Sequence, residues 1–177
     1  MICILSGQIH SGKTSLIKVI IKELQSVNIK LDGFISNQIF KNGEIIGYDL
    51  LDLKKEKSLP FIVKFGENSW QKIGSFFFIP EGLKEANKII LRGKDADILI
   101  IDEIGPLELS GQGVWPSLKK VISPPVTRLL LVVRENIIEN FRELLGNGRM
   151  KIFNIENKEV AGHIIEDIIT NLKSRDI

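Results

Sequence analysis

The sequence predicts an α/β fold with a mainly parallel sheet, helices on both faces and an antiparallel β-hairpin insert. Continuous apolar runs of strand length alternate with segments whose apolar residues recur at helical spacing, as parallel strands with crossover helices require. A stretch in the first half carries turn signals between short β-type runs instead. The chain has 177 residues, 44% of them hydrophobic and 26% charged. Length and composition therefore predict a single domain over 1–177.

The chain opens with a predicted strand, a glycine-bearing turn and a helix. Residues 1–5 are apolar without polar alternation, as expected of a strand covered on both faces. From Lys13 to about Leu24, apolar side chains recur at helical spacing. A second strand is predicted over 31–36, so the chain begins with a strand-loop-helix-strand unit.

Residues 34–79 form the predicted antiparallel insert. Asn42-Gly43, within the turn 41–44, is a strong hairpin signal. Further β-type runs occupy 47–51, 61–63 and 76–79, with polar turns between them. The insert is interpreted either as a cover for a sheet edge or as a surface for an unknown protein partner, and the edge cover is the simpler interpretation.

The second half returns to alternating helices and strands. Pro80 opens a helical pattern that runs to Leu91, and proline suits the first turn of a helix. The apolar run 98–101 ends in Asp102 and Glu103, which is typical of a central parallel strand that delivers acids at its carboxyl end. The remaining predictions are a helix at 115–122, a turn at Pro124-Pro125, a strand at 129–133, a helix at 136–145 ended by Gly146-Asn147-Gly148, a strand at 151–155 and a helix at 160–172.

Charge and cysteine content exclude several classes of protein. The net charge is +2, with 24 basic and 22 acidic residues along the chain, so neither nucleic acid nor a membrane surface is an expected partner. Cys3 is the only cysteine, which excludes a disulfide framework and a zinc cluster. The sequence shows no signal peptide and no apolar run of about 18 residues. A reducing, cytoplasmic location is therefore expected.

A phosphate-binding loop is the most informative motif. Residues 7–14 are Gly7, Gln8, Ile9, His10, Ser11, Gly12, Lys13 and Thr14, and they satisfy G-x-x-x-x-G-K-[ST] between a strand and a helix. Glycines let backbone N–H groups converge on a polyphosphate, and the helix N-terminus adds unpaired donors. All eight are candidate nucleotide-binding residues. Lys13 is expected to reach the β- and γ-phosphates, and the Thr14 hydroxyl to ligate Mg²⁺.

The two histidines carry less information. His10, inside the loop, is either a proton-transfer group or a spacer whose backbone N–H binds phosphate, and the spacer is favoured. His163, on the final predicted helix, has no partner that the sequence identifies.

The tandem carboxylates complete the predicted chemistry. Phosphoryl transfer to water needs a metal ligand and a group that orients or deprotonates water. Asp102 is the candidate Mg²⁺ ligand and Glu103 the candidate general base, so that Lys13 and Glu103 are the predicted catalytic residues. A solvated or helix-capping acidic pair is the alternative. Gly105-Pro106 is expected to turn the chain away, which leaves Glu108 at the surface or behind the site.

Other side chains have two open interpretations. Arg134, after the strand 129–133, is either a γ-phosphate sensor or the partner of Glu135 or Glu139 in an ion pair. Asn136 is expected to cap the next helix. Trp70, Trp115 and the Phe76–Phe78 run either stack on a base or belong to the core, and the core is favoured.

Two motifs together resemble a known family. With the loop at 7–14, the segment 101–109 (IDEIGPLEL) is similar to the D-E-I-G-x-M-E-L signature of the THEP-type nucleoside triphosphatases, the cancer-related nucleoside-triphosphatase family, with Leu107 in place of methionine. The likeness extends through 33–34, 43–48 and 76–91. It implies a P-loop α/β fold and slow, Mg²⁺-dependent hydrolysis of ATP, GTP and other nucleoside triphosphates with little base preference. Residues 7–14 would bind phosphates, Asp102 the metal and Glu103 the reacting water.

The chain departs from the family pattern at two places. After Gly33-Phe34 the family continues with a Thr-Glu-Glu-Val-Arg-like string, whereas residues 35–40 read ISNQIF. Pro106 stands where the family often has a lysine. The first departure removes charges from the segment, and the second changes the loop beside Glu103.

Two further functions remain as alternatives to hydrolysis. A nucleotide-dependent assembly module would use slow hydrolysis to time an interaction. A small-molecule kinase would need an acceptor pocket and an arginine-rich lid, but Arg92, Arg128, Arg134, Arg142 and Arg149 are scattered. A GTP-only switch is disfavoured because Asn157-Lys158-Glu159-Val160 lacks the aspartate of N-K-x-D.

Overall fold

The computed structural model describes residues 1–122, 128–146 and 150–173. In this part of the chain the strands are β1 (Ile2–Gly7), β2 (Leu31–Lys41), β3 (Glu44–Asp52), β4 (Lys57–Val63), β5 (Lys72–Ile73), β6 (Phe76–Phe78), β7 (Ile98–Ile104), β8 (Arg128–Arg134) and β9 (Met150–Asn154). The helices are α1 (Lys13–Ser26), α2 (Pro80–Arg92), α3 (Pro106–Leu109), α4 (Trp115–Ile122), α5 (Ile138–Leu145) and α6 (Val160–Lys173). The turn predicted at Pro124-Pro125, and Asn147-Gly148 of the predicted helix stop, lie outside the described residues.

The strands form a single mixed sheet in the order β5-β6-β4-β3-β2-β7-β8-β1-β9. Its core is parallel, because β1 pairs with β8 and β9, and β7 pairs with β8 and β2. The strands β3 to β6, termed the extension, add antiparallel pairs beyond β2. The predicted α/β class is confirmed, and the hairpin-rich segment continues the same sheet.

Helices cover both faces of the parallel strands. In β1, Ile4 packs in one apolar cluster with residues of α2, α4 and α5. Its neighbours Cys3 and Leu5 pack in a second cluster with α1 and α6. Successive strand side chains point to opposite faces, so an uninterrupted apolar run serves both clusters. Burial raises the pKa of the Cys3 thiol to about 12, which makes it an inert core group.

Some element boundaries differ from the sequence predictions. β2 continues to Lys41 instead of ending at 36, because its second half pairs with β3 up to the Asn42-Gly43 turn. The short elements β5 and α3 were not predicted. The assignment of Asn136 as a helix cap is wrong, because the residue lies inside a 3-10 turn, Glu135–Ile137. The N-cap of α5 is Ile137, and no side chain caps this helix.

A paired charge network closes the end of the sheet where β2 begins. Asp32 and Asp52 are each only 2% exposed, and both accept hydrogen bonds from the Arg92 guanidinium at the end of α2. Gly33 follows with φ of 119°, and a Cβ there would overlap the carbonyl oxygen of Ile100. Glycine is therefore required where β2 meets β7. We call Asp32, Asp52 and Arg92 the amino-end network.

Within the described residues, no helix combines the length and the apolar character needed to cross a lipid bilayer.

Candidate active site

The phosphate loop joins β1 to α1 at the carboxyl end of the parallel strands. Gly12 has φ of 89° at the N-cap of α1, and no side chain caps the helix. The first turn of α1 also contains no acidic residue. Its amide donors and the positive end of its dipole therefore face the loop without competition, which suits a polyphosphate.

Lys13 is held inside this loop. Its side chain is 6% exposed, and its ammonium donates to the carbonyl oxygens of Gly7 at 3.0 Å and Gln8 at 2.6 Å. The same Nζ lies 3.7 Å from Oε1 of Glu103. Lys13 thus links the loop to the acidic pair.

Asp102 meets Thr14 at the edge of the loop. The Thr14 hydroxyl donates to Oδ2 of Asp102 at 2.8 Å, and the Ser36 hydroxyl donates to the Asp102 backbone carbonyl at 2.7 Å. Burial raises the pKa of Asp102 to about 7, and the nearby Glu103 charge adds to this effect, while the hydrogen bond from Thr14 opposes it. The two predicted Mg²⁺ ligands are therefore adjacent in space, although they are 88 residues apart in sequence.

Glu103 and Arg134 form the opposite side of the site. Asp102 pairs with Val132 and Ile104 with Val133, so the ladder is irregular at Glu103, as in a bulge that redirects a side chain. Arg134 Nε donates to Oε2 of Glu103 at 3.0 Å. Because β8 lies between β1 and β7, its last residue reaches both motifs. Arg134 therefore pairs with Glu103 and not with Glu135 or Glu139, the partners considered from the sequence.

These groups line a pocket of about 540 Å³. Its lining includes residues 9–14 of the loop together with Asp102, Glu103 and Arg134. Sequence reasoning missed seven more lining residues. Two come from α1, Ser15 and Lys18, and five from β2 and β3: Ser36, Asn37, Gln38, Phe40 and Tyr48. For Ser36, Asn37 and Gln38 the signal was their polar run, which follows Phe34 and Ile35 within β2.

Asn37 and His10 are two polar groups of this pocket wall. Oδ1 of Asn37 is buried and has no hydrogen-bond partner among the described residues. His10 is exposed with φ of 65°, and its Nδ1 lies 3.4 Å from Nε2 of Gln38. The His10 ring therefore lies at the wall of the pocket, and its role as a spacer stays a prediction.

The predicted aromatic candidates divide between core and site. Trp115 packs edge to face against Phe141 in the core, at 6.1 Å between ring centroids. Trp70 is half-buried and does not line the pocket. Phe76 and Phe78 line an adjoining cavity. Phe40, at 59% exposure, is the aromatic side chain most open to a ligand in the pocket.

Glu108 and His163 are the remaining residues that the sequence analysis considered. Glu108 is 3% exposed, so a surface position for it is wrong. Its carboxylate accepts hydrogen bonds from the N–H groups of Gly105 at 2.9 Å and Val114 at 3.1 Å, which fixes the loop after Glu103. The sequence identified no partner for His163. In the structure its Nε2, on α6, lies 3.7 Å from Oε2 of Glu159, the residue before this helix begins.

The chain is similar to known proteins over most of its length. Over 170 residues the chain is 26% identical to a nucleoside-triphosphatase THEP1 from Saccharolobus solfataricus, covering 95% of this chain and 93% of the relative. It is 30% identical to the THEP1 of Methanocaldococcus jannaschii, covering 96% and 98%.

A solved structure and a family model agree with these relatives. The solution structure of a human cancer-related nucleoside triphosphatase matches with a TM-score of 0.71 at 24% identity, covering 97% of both chains, which shows the shared fold. The NTPase family model matches residues 2–169, nearly the whole chain. The resemblance inferred from the two motifs is therefore confirmed, and the chain belongs to this NTPase family.

Proposed function

We propose that the protein hydrolyses nucleoside triphosphates to diphosphate and phosphate in a slow, Mg²⁺-dependent reaction with broad base tolerance. One observation carries the proposal: the phosphate loop, the Thr14–Asp102 pair and the Lys13–Glu103–Arg134 cluster converge on one pocket. The named activity of the family members to which the chain is similar supports the same reaction.

Binding of the polyphosphate rests on the loop and the start of α1. The uncapped helix N-terminus supplies amide donors. Lys13 is already desolvated and turned into the loop, where it donates to backbone carbonyls. The β- and γ-phosphate oxygens replace those weaker neutral acceptors, because a charged acceptor forms a stronger hydrogen bond with an ammonium group.

The residues beside the loop fit a magnesium ion. The Thr14 hydroxyl and the Asp102 carboxylate are hard oxygen donors, and one or two such protein ligands with substrate phosphates are typical for Mg²⁺. The buried, unpartnered Oδ1 of Asn37 can accept a hydrogen bond from the ion's water shell. When bound, Mg²⁺ neutralises phosphate charge and orients the substrate.

Glu103 acts as the base for the attacking water. Its carboxylate accepts a hydrogen bond from Arg134 at 3.0 Å, and the Lys13 ammonium lies 3.7 Å away. Both cations turn towards the γ-phosphate when substrate binds, which frees Glu103 to accept a proton from water. Because the base must first be released from its partners, slow turnover is expected.

Base tolerance follows from what lines the outer part of the pocket. Ile9 and Phe40 are 61% and 59% exposed there. Such side chains contact a base through apolar surface and π-stacking and read no hydrogen-bond pattern. ATP and GTP are therefore expected to be turned over at similar rates.

A phosphate-release assay with ATP, GTP, CTP and UTP, each with and without Mg²⁺, tests the proposal. We expect release from all four nucleotides in the presence of Mg²⁺ and almost none without it. Asp102→Asn should lose the Mg²⁺-dependent rate, while Asp95→Asn, an exposed aspartate after α2, should retain it. Equal rates with and without Mg²⁺, or no release from any nucleotide, would refute the proposal.

A further inference from the structure

A second cavity adjoins the phosphate pocket on the side of Glu103. Its volume is about 610 Å³, and it lies between strands of the extension and the segment that follows β7. We call it the side cavity. Its apolar wall includes Phe34, Tyr48, Phe61, Ile73, Phe76 and Phe78. The attacking water needs far less room, so the side cavity is large enough to hold a second substrate beside Glu103.

The aromatic wall of the side cavity is held in place by ring contacts. Tyr48 packs edge to face with Phe76 at 5.8 Å between centroids. Phe61 makes similar contacts with Phe34 at 5.8 Å and with Phe78 at 5.1 Å. Fixed rings around a volume of drug-like size are typical of a preformed site for a small molecule with a flat apolar body.

The two chambers share the groups that would perform phosphoryl transfer. Glu103, Arg134 and Ser36 line both the phosphate pocket and the side cavity. Glu103 is 26% exposed, and it is the carboxylate that the proposed hydrolysis uses as its base. A hydroxyl group held in the side cavity and a γ-phosphate held at the loop would therefore both lie beside the same carboxylate.

We propose that the side cavity binds a second substrate, a small alcohol with a flat apolar body, and that the protein transfers the γ-phosphoryl group to its hydroxyl. This inference rests on the proposed function, because it uses the same triphosphate and the same base. Glu103 accepts the hydroxyl proton as the alcohol oxygen bonds to the γ-phosphorus. The bond from that phosphorus to the β–γ bridging oxygen breaks, and its electron pair leaves with the nucleoside diphosphate. The products are a phosphomonoester and the diphosphate.

Benzyl alcohol is a suitable probe, since it carries one hydroxyl on a flat apolar ring. The full-length protein is incubated with Mg²⁺, ATP and benzyl alcohol, and benzyl phosphate and inorganic phosphate are quantified by ³¹P NMR. Without a binding site, their ratio follows the concentration ratio of alcohol to water. Because a bound hydroxyl has a high effective concentration, we expect the ester-to-phosphate ratio to exceed that value by roughly 10-fold or more.

Three controls assign the transfer to the side cavity. Toluene, which has the ring without the hydroxyl, should lower ester formation by competing for the cavity. Ile73→Trp, which fills the cavity, should return the ratio to the concentration ratio, and its phosphate release shows that the variant is folded. Phe65→Trp, at an 84% exposed position outside both chambers, should keep the parental ratio.

Each failure has a distinct meaning. Phosphate release with a parental ratio equal to the concentration ratio overturns the acceptor site and leaves the proposed hydrolysis intact. An elevated ratio that Ile73→Trp does not reduce also overturns it, because transfer would then occur outside the cavity. Absence of both phosphate and ester would refute the proposed function itself.

Discussion

Acidic and basic side chains meet at both ends of the parallel strands. Those at the amino end are more completely paired than those at the carboxyl end. At the amino end, Arg92 donates four hydrogen bonds to the carboxylates of Asp32 and Asp52. Both of these buried carboxylates are therefore paired with its guanidinium group. At the carboxyl end, Glu103 receives one hydrogen bond from Arg134, and Lys13 stays 3.7 Å away. A saturated network stabilises the fold, whereas incompletely paired charges beside a pocket can exchange partners with a ligand.

The largest effect is expected from removing the loop lysine. Lys13→Ala should abolish measurable triphosphate binding, because the β/γ charge loses its ammonium partner in the loop. Lys22→Ala, at an exposed position on the same helix, should bind as the parent does. Isothermal titration calorimetry with a non-hydrolysable ATP analogue measures both. Unchanged affinity in Lys13→Ala would remove Lys13 from the proposed role.

Breaking the amino-end network should affect stability instead of chemistry. Arg92→Leu leaves two buried carboxylates without their guanidinium, which should lower the free energy of unfolding by about 3–5 kcal/mol. Arg142→Leu, on the exposed face of α5, is the matched control and should change it little. Urea unfolding followed by circular dichroism measures both variants. A parental midpoint for Arg92→Leu would contradict a structural role for the network.

The sequence revealed one of these two ends far better than the other. Asp102-Glu103 could be predicted because the acids are adjacent, follow an apolar strand and accompany a phosphate-loop motif. The amino-end network joins residues 60 and 40 positions apart, with no local pattern around any of them. Its pairing becomes visible only when β2, β3 and α2 are placed together.

The contrast between local patterns and long-range contacts also explains the other differences between the sequence predictions and the structure. Buried strands and amphipathic helices have strong periodic signals, so most elements were predicted to within a few residues. β5 has two residues and α3 four, which is too short for any period to be recognised. Tyr48 and Phe40 reach the pocket through the pairing of β2 with β3, a long-range feature that local pattern does not encode.

Acidification should affect the two ends at different pH values. Burial raises the pKa of Asp102 to about 7, so below that value the carboxyl is protonated and must release a proton to bind Mg²⁺. Affinity for Mg²⁺-ATP should therefore fall up to about tenfold per pH unit below 7 and stay flat above it. Titration calorimetry from pH 8 to 5.5 tests this, and a flat profile would contradict it.

The free energy of unfolding should decrease at a lower pH, where Asp52 becomes protonated. Burial alone would raise the pKa of this carboxyl, but hydrogen bonds from Arg92, Lys55 and Lys54 outweigh burial and lower it. A lowered pKa means that its stabilising contribution is present above about pH 4 and is lost as pH falls through the folded-state value. Urea unfolding midpoints measured from pH 5 to pH 2.5 test this, and midpoints that do not fall below about pH 4 would contradict it.

A smaller effect is expected from the acid that supports the loop after Glu103. In Glu108→Gln, the amide NH₂ would face one of the two backbone N–H donors now bound by the carboxylate. The free energy of unfolding should fall by about 1–3 kcal/mol. Turnover should decrease only a few-fold. Glu139→Gln, at an exposed site on α5, is the control, and thermal melts with phosphate-release rates measure both.

The central claim is that Glu103, at the incompletely paired end, is the base that activates the attacking group. The most direct measurement compares single-turnover ATP hydrolysis by the parent and by Glu103→Gln, with nucleotide affinity determined on the same samples. We predict a rate loss of roughly 100-fold or more with affinity within a few-fold of the parent. Hydrolysis by Glu103→Gln at the parental rate would contradict the claim and assign the base to another group.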